Sequence, residues 1–85
     1  PTAYPLEAAR ERLRHMLPEL AAWTALAGVA PDGLPGPDMG GPSRASCLAS
    51  TLSASLELVK EGTLEARQAK AFDELYLRKR RAQAA

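Results

Sequence analysis

The stretch LASTLSASLELVKEGTLEARQAKAFDELYL, residues 48–77, decides the fold, because its apolar residues change period part-way along it. One stripe of a 3.6-residue helix holds Leu48, Leu52, Leu56 and Val59. Gly62 follows this stripe and suits the left-handed conformation that ends many helices. The sequence therefore predicts a long helix that begins near the serines of residues 43–46 and ends at Gly62.

A period of two replaces the helical period after Gly62. Apolar and charged residues alternate over residues 64–68, which predicts a strand. The apolar side of a returning strand is supplied by Phe72, Leu75 and Leu77. The step of three from Phe72 to Leu75 requires either a β-bulge or a late start of that strand. A long helix followed by a two-stranded wing predicts a winged helix, a mainly helical α+β domain of three helices and a C-terminal β-hairpin.

The N-terminal third of the chain predicts the remaining elements. Pro5 is well placed at a helix start, and Pro18 ends the helix by forcing Leu17 out of the helical region. The buried stripe of this helix is expected to contain Leu6, Ala9, Leu13, Met16 and Leu17. Residues 21–23 are expected to form a short strand, with Trp23 in the core between the first two helices. Thr24 is then expected to cap a short helix that ends at Val29 or Ala30.

The length and composition predict one domain. An 85-residue chain holds one small core, so we expect a single winged-helix domain over residues 1–85. Because the sequence starts at Pro1 and not at Met, we take it to be the C-terminal fragment of a longer protein. The glycine and proline residues of 31–42 predict a flexible surface loop. Residues 79–85 are expected to be a disordered basic tail.

The charge is concentrated at the C-terminus. The net charge is +1, so no global electrostatic force favours nucleic acid. A basic run contains Arg78, Lys79, Arg80 and Arg81. Without these four residues, seven Lys and Arg stand against ten Asp and Glu, a balance of −3. The run is either a solvated tail or a weak phosphate contact, and any DNA binding through it should be non-specific and lost at physiological salt.

The sequence gives little reason to expect catalysis, a metal or another cofactor. His15 is the single histidine and lies off the apolar stripe of its helix, where an exposed position is expected. Cys47 is the single cysteine, and we expect a buried or half-buried thiol and not a nucleophile, since no base accompanies it. A single cysteine excludes an internal disulfide, which fits a reducing cytoplasm. No apolar run approaches the ~20 residues that are needed to cross a bilayer. The serines of the long helix form either a smooth packing face for a partner or a weakly apolar exposed face.

The C-terminal half also resembles a known family. The string LELVKEGTLEARQ, residues 56–68, is followed by Phe72, Asp73 and a Leu-Tyr-Leu strand. This pattern resembles the C-terminal winged helix of segregation and condensation protein A (ScpA), the bacterial kleisin. The turn departs from the family, because residues 69–71 replace its usual acidic-proline lead-in to Phe72. The resemblance extends from about Leu6 to Arg78 and is specific between Leu56 and Leu77.

The resemblance implies a protein-interaction module. In that family the domain docks on the ATPase head of a structural-maintenance-of-chromosomes (SMC) protein. It thereby closes a ring that acts in chromosome condensation and partition during the cell cycle. The partner ScpB binds a central segment that this chain lacks, so ScpB is expected only in the full-length protein. The resemblance also implies a protein of the cytoplasm that associates with the nucleoid. We expect the fragment to be monomeric. We expect the SMC head to be contacted by Leu52, Leu56, Phe72 and Leu75.

A DNA-binding winged helix of a transcription regulator is the alternative function. The long helix discriminates between the two, because DNA-reading helices present Arg, Lys, Asn or Gln to bases and phosphates. Here Arg44 and Lys60 are balanced by Glu57 and Glu61, and most other side chains are small or apolar. The sequence therefore favours the interaction module, and an enzyme is the least favoured class.

Overall fold

A computed structural model describes residues 2–81 and has the predicted α+β architecture, mainly helical with a small antiparallel sheet. The α-helices are α1 (Leu6–Met16), α2 (Leu26–Val29) and α3 (Arg44–Glu61). The strands are β1 (Thr24–Ala25), β2 (Leu64–Arg67) and β3 (Tyr76–Lys79). Single 3₁₀ turns cover Leu17–Leu20 and Pro37–Met39. Three helices and a C-terminal hairpin in this order confirm the predicted fold class.

The sheet has the strand order β1-β3-β2, and both pairings are antiparallel. Leu77 is the central residue of the sheet, since it lies opposite Thr24 on one side and Ala66 on the other. Strand β3 begins only at Tyr76, so the late start is the correct one of the two alternatives for the returning strand. Phe72 therefore belongs to the turn and not to the strand.

The connection from α1 to α2 differs from the prediction. The chain does not leave helical geometry at Pro18, because the 3₁₀ turn accepts proline at its start, where no backbone N–H is needed. The first strand consequently lies at residues 24–25 and not at residues 21–23. The Thr24 hydroxyl donates to the Ala22 carbonyl at 3.0 Å, so it does not cap α2.

Both ends of α3 are where the sequence places them. The Ser43 hydroxyl accepts the Ser46 backbone N–H at 3.0 Å and caps the N-terminus. Gly62 has φ +89°, and the Thr63 N–H donates to the Leu58 carbonyl at 2.9 Å. This is a Schellman ending, which fixes the direction in which the chain enters β2.

The core is narrower than the predicted stripes. Its fully buried large side chains are Leu13, Leu20, Val29, Leu58, Leu64 and Leu77. Helix α3 contributes a row of mostly small residues to it, namely Cys47, Thr51, Ala54, Ser55 and Leu58. The leucine stripe at positions 48, 52 and 56 therefore lies beside the buried face and not at its centre. In α1, Ala9 and Leu13 are buried, whereas Leu6 is exposed.

The loop of residues 31–42 contains one short ordered turn. The Gly41 N–H donates to the Gly36 carbonyl at 2.9 Å and closes the loop around the 3₁₀ turn. Its base is held by Arg44, whose guanidinium donates to the carbonyls of Pro31 at 3.1 Å and Ala27 at 2.8 Å. These contacts anchor the loop at its ends, and its flexibility stays a prediction.

The basic tail begins later than predicted. Lys79 is the last residue of β3, and the Arg80 N–H donates to the Thr63 carbonyl at 3.0 Å. The expectation of disorder from residue 79 is therefore wrong at its start, because the ladder with β2 continues to Arg80. Residues 82–85 of the predicted tail lie outside the described residues.

Replacing Gly62 should destabilise the domain. Its positive φ costs an alanine about 1–2 kcal/mol, although the space around a new Cβ is adequate. We expect Gly62→Ala to lower the free energy of unfolding by about that amount in urea denaturation. Gly36→Ala is the matched control, since φ is −74° and no atom lies within 4 Å of its Cβ position. Equal stability of the two variants would contradict this account of the helix end.

Removing the Thr51 hydroxyl should stabilise the domain. Thr51 Oγ1 is buried and has no hydrogen-bond partner among residues 2–81. Valine keeps the shape and removes the desolvated hydroxyl, so we expect Thr51→Val to raise the free energy of unfolding by about 1 kcal/mol. Thr51→Ser keeps the hydroxyl and loses a methyl group, and it should destabilise. A Thr51→Val variant less stable than the parent would show that the hydroxyl is satisfied in solution.

Candidate functional site

The four side chains predicted to contact a partner converge in one place. They line an open depression of about 470 Å³ between α3, the start of α2 and the turn before β3. Its full lining is Leu26, Leu52, Leu56, Gln68, Phe72, Asp73, Glu74 and Leu75. We call this depression the wing groove. Leucines that are four residues apart on α3 form one wall, and the β2–β3 turn forms the other.

The apolar side chains of the wing groove differ in exposure. Leu52 and Leu56 are 36% and 47% exposed, and Phe72 is completely exposed. Leu75 and Leu26 are half-buried and pack against the core, so they form the floor. Large exposed apolar side chains around a half-buried floor are typical of a surface that binds another macromolecule.

Phe72 is held outward by the backbone of its turn. Its φ is +70°, the only positive value at a non-glycine residue of the described chain. Such a value is unfavourable for a bulky side chain and persists only where the surroundings impose it. The turn is closed by the Asp73 N–H, which donates to the Lys70 carbonyl at 3.1 Å, and by the Gln68 amide, which donates to the Asp73 carbonyl at 2.6 Å. The strain is therefore located at the most exposed aromatic ring.

The rim of the wing groove is acidic. Asp73 and Glu74 lie at the turn end of the groove, where Glu74 Oε1 is 3.5 Å from the Ala27 backbone nitrogen. Among residues 2–81, no Lys or Arg lines the groove. The groove can therefore bind apolar side chains that have basic neighbours.

The charges of α3 are already paired within the domain. Glu57 accepts from Arg10 at 2.9 Å, and Glu61 accepts from Arg14 at 2.8 Å. Arg44 is occupied by the loop carbonyls described above. Within residues 2–81, Lys60 is thus the single cation of α3 without such a contact. This helix offers very little to DNA phosphates or base edges.

The basic run is only partly free. The Arg78 guanidinium donates to Glu65 at 2.7 Å through Nε and lies over the Trp23 ring, 4.4 Å from its centroid. The phosphate contact through Arg78 stays a prediction, although its guanidinium is already paired with Glu65 on the outer face of the sheet. Lys79, Arg80 and Arg81 are exposed.

Trp23 is also not where the sequence analysis places it. The indole is half-buried on the outer face of the sheet and contacts Arg67, 5.2 Å from its centroid, in addition to Arg78. It therefore does not seal α1 against α2. The alternation along β2 and β3 assigns both arginines to one face, but only the pairing of the strands brings the Trp23 ring to them.

The histidine, the cysteine and two serines of α3 have structural positions within the domain. His15 is exposed and lies 3.4 Å from Glu11, and Cys47 is buried. Ser46 and Ser50 bind the backbone of Tyr4, with distances of 2.8 and 2.5 Å. The small face of α3 therefore packs within this chain, against α1 and the segment that precedes it. Residues 2–81 contain no group of three His, Cys, Asp or Glu side chains that could hold a metal ion.

Comparison with known proteins gives no assignment. Neither protein-family models nor curated proteins match the chain. The similarity to the bacterial kleisin thus stays a prediction from the residues quoted above. Among the helices in residues 2–81, none has the combination of length and apolarity needed to cross a membrane.

The Arg14–Glu61 pair should make stability depend on acidic pH. The hydrogen bond from Arg14, and then the one from Thr63, lowers the pKa of Glu61 from 4.5 to about 2. A lowered folded-state pKa contributes stability that is complete above pH 4.5 and is lost as the pH falls towards 2. Glu61→Gln should therefore lose less stability than the parent between pH 5 and 2 in thermal denaturation. Glu61→Gln in an Arg14→Gln background is the control, and there the difference should be smaller, because only the weaker effects of Thr63 and Arg10 still lower the pKa of Glu61.

Proposed function

We propose that this domain is a protein-interaction module of the kleisin type that docks on the ATPase head of an SMC protein. The wing groove is the observation that carries the proposal. It gathers Leu52, Leu56, Phe72 and Leu75 on one side of the domain, where α3 and the wing meet. The family resemblance implies a docking role for that side.

The small core of the domain leaves several large apolar side chains outside it. The row of small residues on α3 already packs against α1, so Leu52 and Leu56 have no space in the core. Phe72 is completely exposed, so its ring packs against none of the described residues 2–81. A single exposed leucine is ordinary, but two leucines and a phenylalanine around one groove indicate a binding surface.

The chemistry of the groove defines the partner surface. An apolar floor with Asp73 and Glu74 at its rim fits a partner that presents apolar side chains beside Lys or Arg. The apolar contact supplies the affinity, and the acidic rim selects the orientation and speeds association. An SMC head with such a patch would bury the apolar side chains that are exposed in this domain alone.

The alternative function as a DNA-reading transcription regulator has less support. Within residues 2–81, Lys60 is the one cation of α3 without a hydrogen-bonded partner, because Arg44 donates to the carbonyls of Pro31 and Ala27. Helix α3 also carries two carboxylates, on Glu57 and Glu61, near its C-terminus. Weak, salt-sensitive contact with DNA would have to come from the exposed end of β3.

The proposed function also implies a cellular location and a process. A kleisin of this kind acts in the cytoplasm at the nucleoid, where the SMC–kleisin ring serves chromosome condensation and segregation. The chain described here would supply the SMC head contact, and ScpB would bind elsewhere on the full-length protein. No catalytic step is proposed for the domain.

Docking is tested by substitution in the wing groove. Phe72→Ala and Leu56→Lys should leave the fold intact, because both side chains are exposed. Each should weaken binding to the SMC head of the same genome by a factor of about 30, the equivalent of about 2 kcal/mol for a lost anchor. Isothermal titration calorimetry measures the binding, and circular dichroism checks the fold.

Met39→Lys is the matched control for these variants. Met39 is 80% exposed in the loop and lies away from the wing groove, so its replacement should leave binding unchanged. Leu75 is unsuitable as a test residue, because it packs against the core. If the folded Phe72→Ala and Leu56→Lys proteins bind the SMC head as tightly as the parent, the wing groove is not the docking surface.

A further inference from the structure

The sheet has an open edge at β2. The Arg80 N–H donates to the Thr63 carbonyl, so Thr63 and Arg80 form a hydrogen-bonded pair of the antiparallel ladder. Such pairs alternate along a ladder, which means that Glu65 and Arg67 also bond towards β3. The backbone N–H and C=O groups of Leu64 and Ala66 therefore point away from the sheet.

These outward groups have no hydrogen-bond partner in the part of the chain that the structure describes. No hydrogen bond found within residues 2–81 uses the backbone of Ala66 or Leu64 outside the strand pairing. The edge thus presents two donors and two acceptors at the spacing of a strand. Strand β1 at the opposite edge is only two residues long and continues directly into α2. The free edge of β2 is the longer of the two and can add a further strand.

A second depression of about 450 Å³ lies against this strand. Its lining is Val59, Leu64, Glu65, Ala66, Arg78, Arg80 and Arg81. Three of the four residues of β2 belong to it, so the depression follows the strand. The aliphatic side chains form an apolar floor. Because Arg78 is paired with Glu65, Arg80 and Arg81 leave the rim with a net positive charge.

We propose that the β2 edge binds an extended acidic peptide segment as a fourth strand of the sheet. The backbone of the segment would pair with Leu64 and Ala66, one apolar side chain would enter the floor beside Val59, and flanking carboxylates would face Arg80 and Arg81. This site goes beyond the proposed SMC docking and does not depend on it. The two surfaces share no lining residue and have rims of opposite charge.

Other occupants fit the edge less well. DNA phosphates accept hydrogen bonds but cannot donate them, so they leave the outward carbonyls of β2 unpaired. A second copy of this chain, added about a two-fold axis, would bring its own β2, in which the one carboxylate, on Glu65, is already paired with Arg78. An acidic strand satisfies the donors, the acceptors and the charge together.

The test is an NMR titration of the 85-residue chain with a capped synthetic peptide, Asp-Glu-Val-Asp-Val-Glu-Asp. We expect saturating amide shifts at residues 64–67 and slower hydrogen exchange at Leu64 and Ala66. A peptide with alternate backbone nitrogens methylated keeps every charge but cannot pair, and it should bind at least about tenfold more weakly. A peptide with Lys in place of each acidic residue should not bind.

Matched variants of the protein test the edge itself. Ala66→Pro deletes the outward N–H without removing a bond to β3, and it should abolish the shifts. Ala66→Ser keeps that N–H and should bind like the parent. Arg81→Glu reverses an exposed charge and should weaken binding several-fold. Phe72→Ala changes only the wing groove and should bind the peptide normally, whatever it does to SMC docking.

Three outcomes would overturn the proposal. The first is the absence of shifts at residues 64–67 in the parent chain, and the second is equal binding of the methylated peptide, which would show attraction by charge alone. The third is displacement of the acidic peptide by duplex DNA or by a second copy of the chain at lower concentration. If Ala66→Pro fails to fold, the methylated peptide and Arg81→Glu decide the question.

Discussion

The close contact between α1 and α3 is the constraint on which the rest of the structure depends. Ala9 and Leu13 of α1 meet a face of α3 built around Thr51, Ala54 and Ser55, all of them buried. Small residues at a helix contact allow the two backbones to approach closely. The larger leucines of α3 cannot enter this contact, so they lie at its side and become one wall of the wing groove.

The second wall follows from the way α3 ends. Gly62 turns the chain so that Leu64 enters the core as the first residue of β2. The hairpin then returns at Tyr76 and places Leu77 in the centre of the sheet. The residues between the strands have no core to enter, and the turn holds Phe72 in solvent. The wing groove and the hairpin therefore both follow from the contact between α1 and α3 and from the end of α3 at Gly62.

Ion pairs within the domain leave regions of opposite charge on its surface. Arg10 and Arg14 neutralise the carboxylates of α3, and Arg78 neutralises Glu65 under the Trp23 ring. The charges left over are acidic at the turn beside the wing groove and basic where β3 ends. The two proposed binding surfaces consequently have rims of opposite charge on one small domain.

The order of the elements and both ends of α3 could be predicted from the sequence, because a helical period, the Ser43 cap and the Gly62 stop depend only on neighbouring residues. Through a resemblance, it also predicted that Leu52, Leu56, Phe72 and Leu75 contact a partner, and the structure brings these four side chains together around the wing groove. Which stripe of α3 is buried could not be predicted from its own residues. The small residues beside Thr51 are buried because α1 packs closely against them, and not because they are the most apolar residues of the helix. The same holds for Trp23 and Arg78, whose contact needs strands from distant parts of the chain to pair in one register.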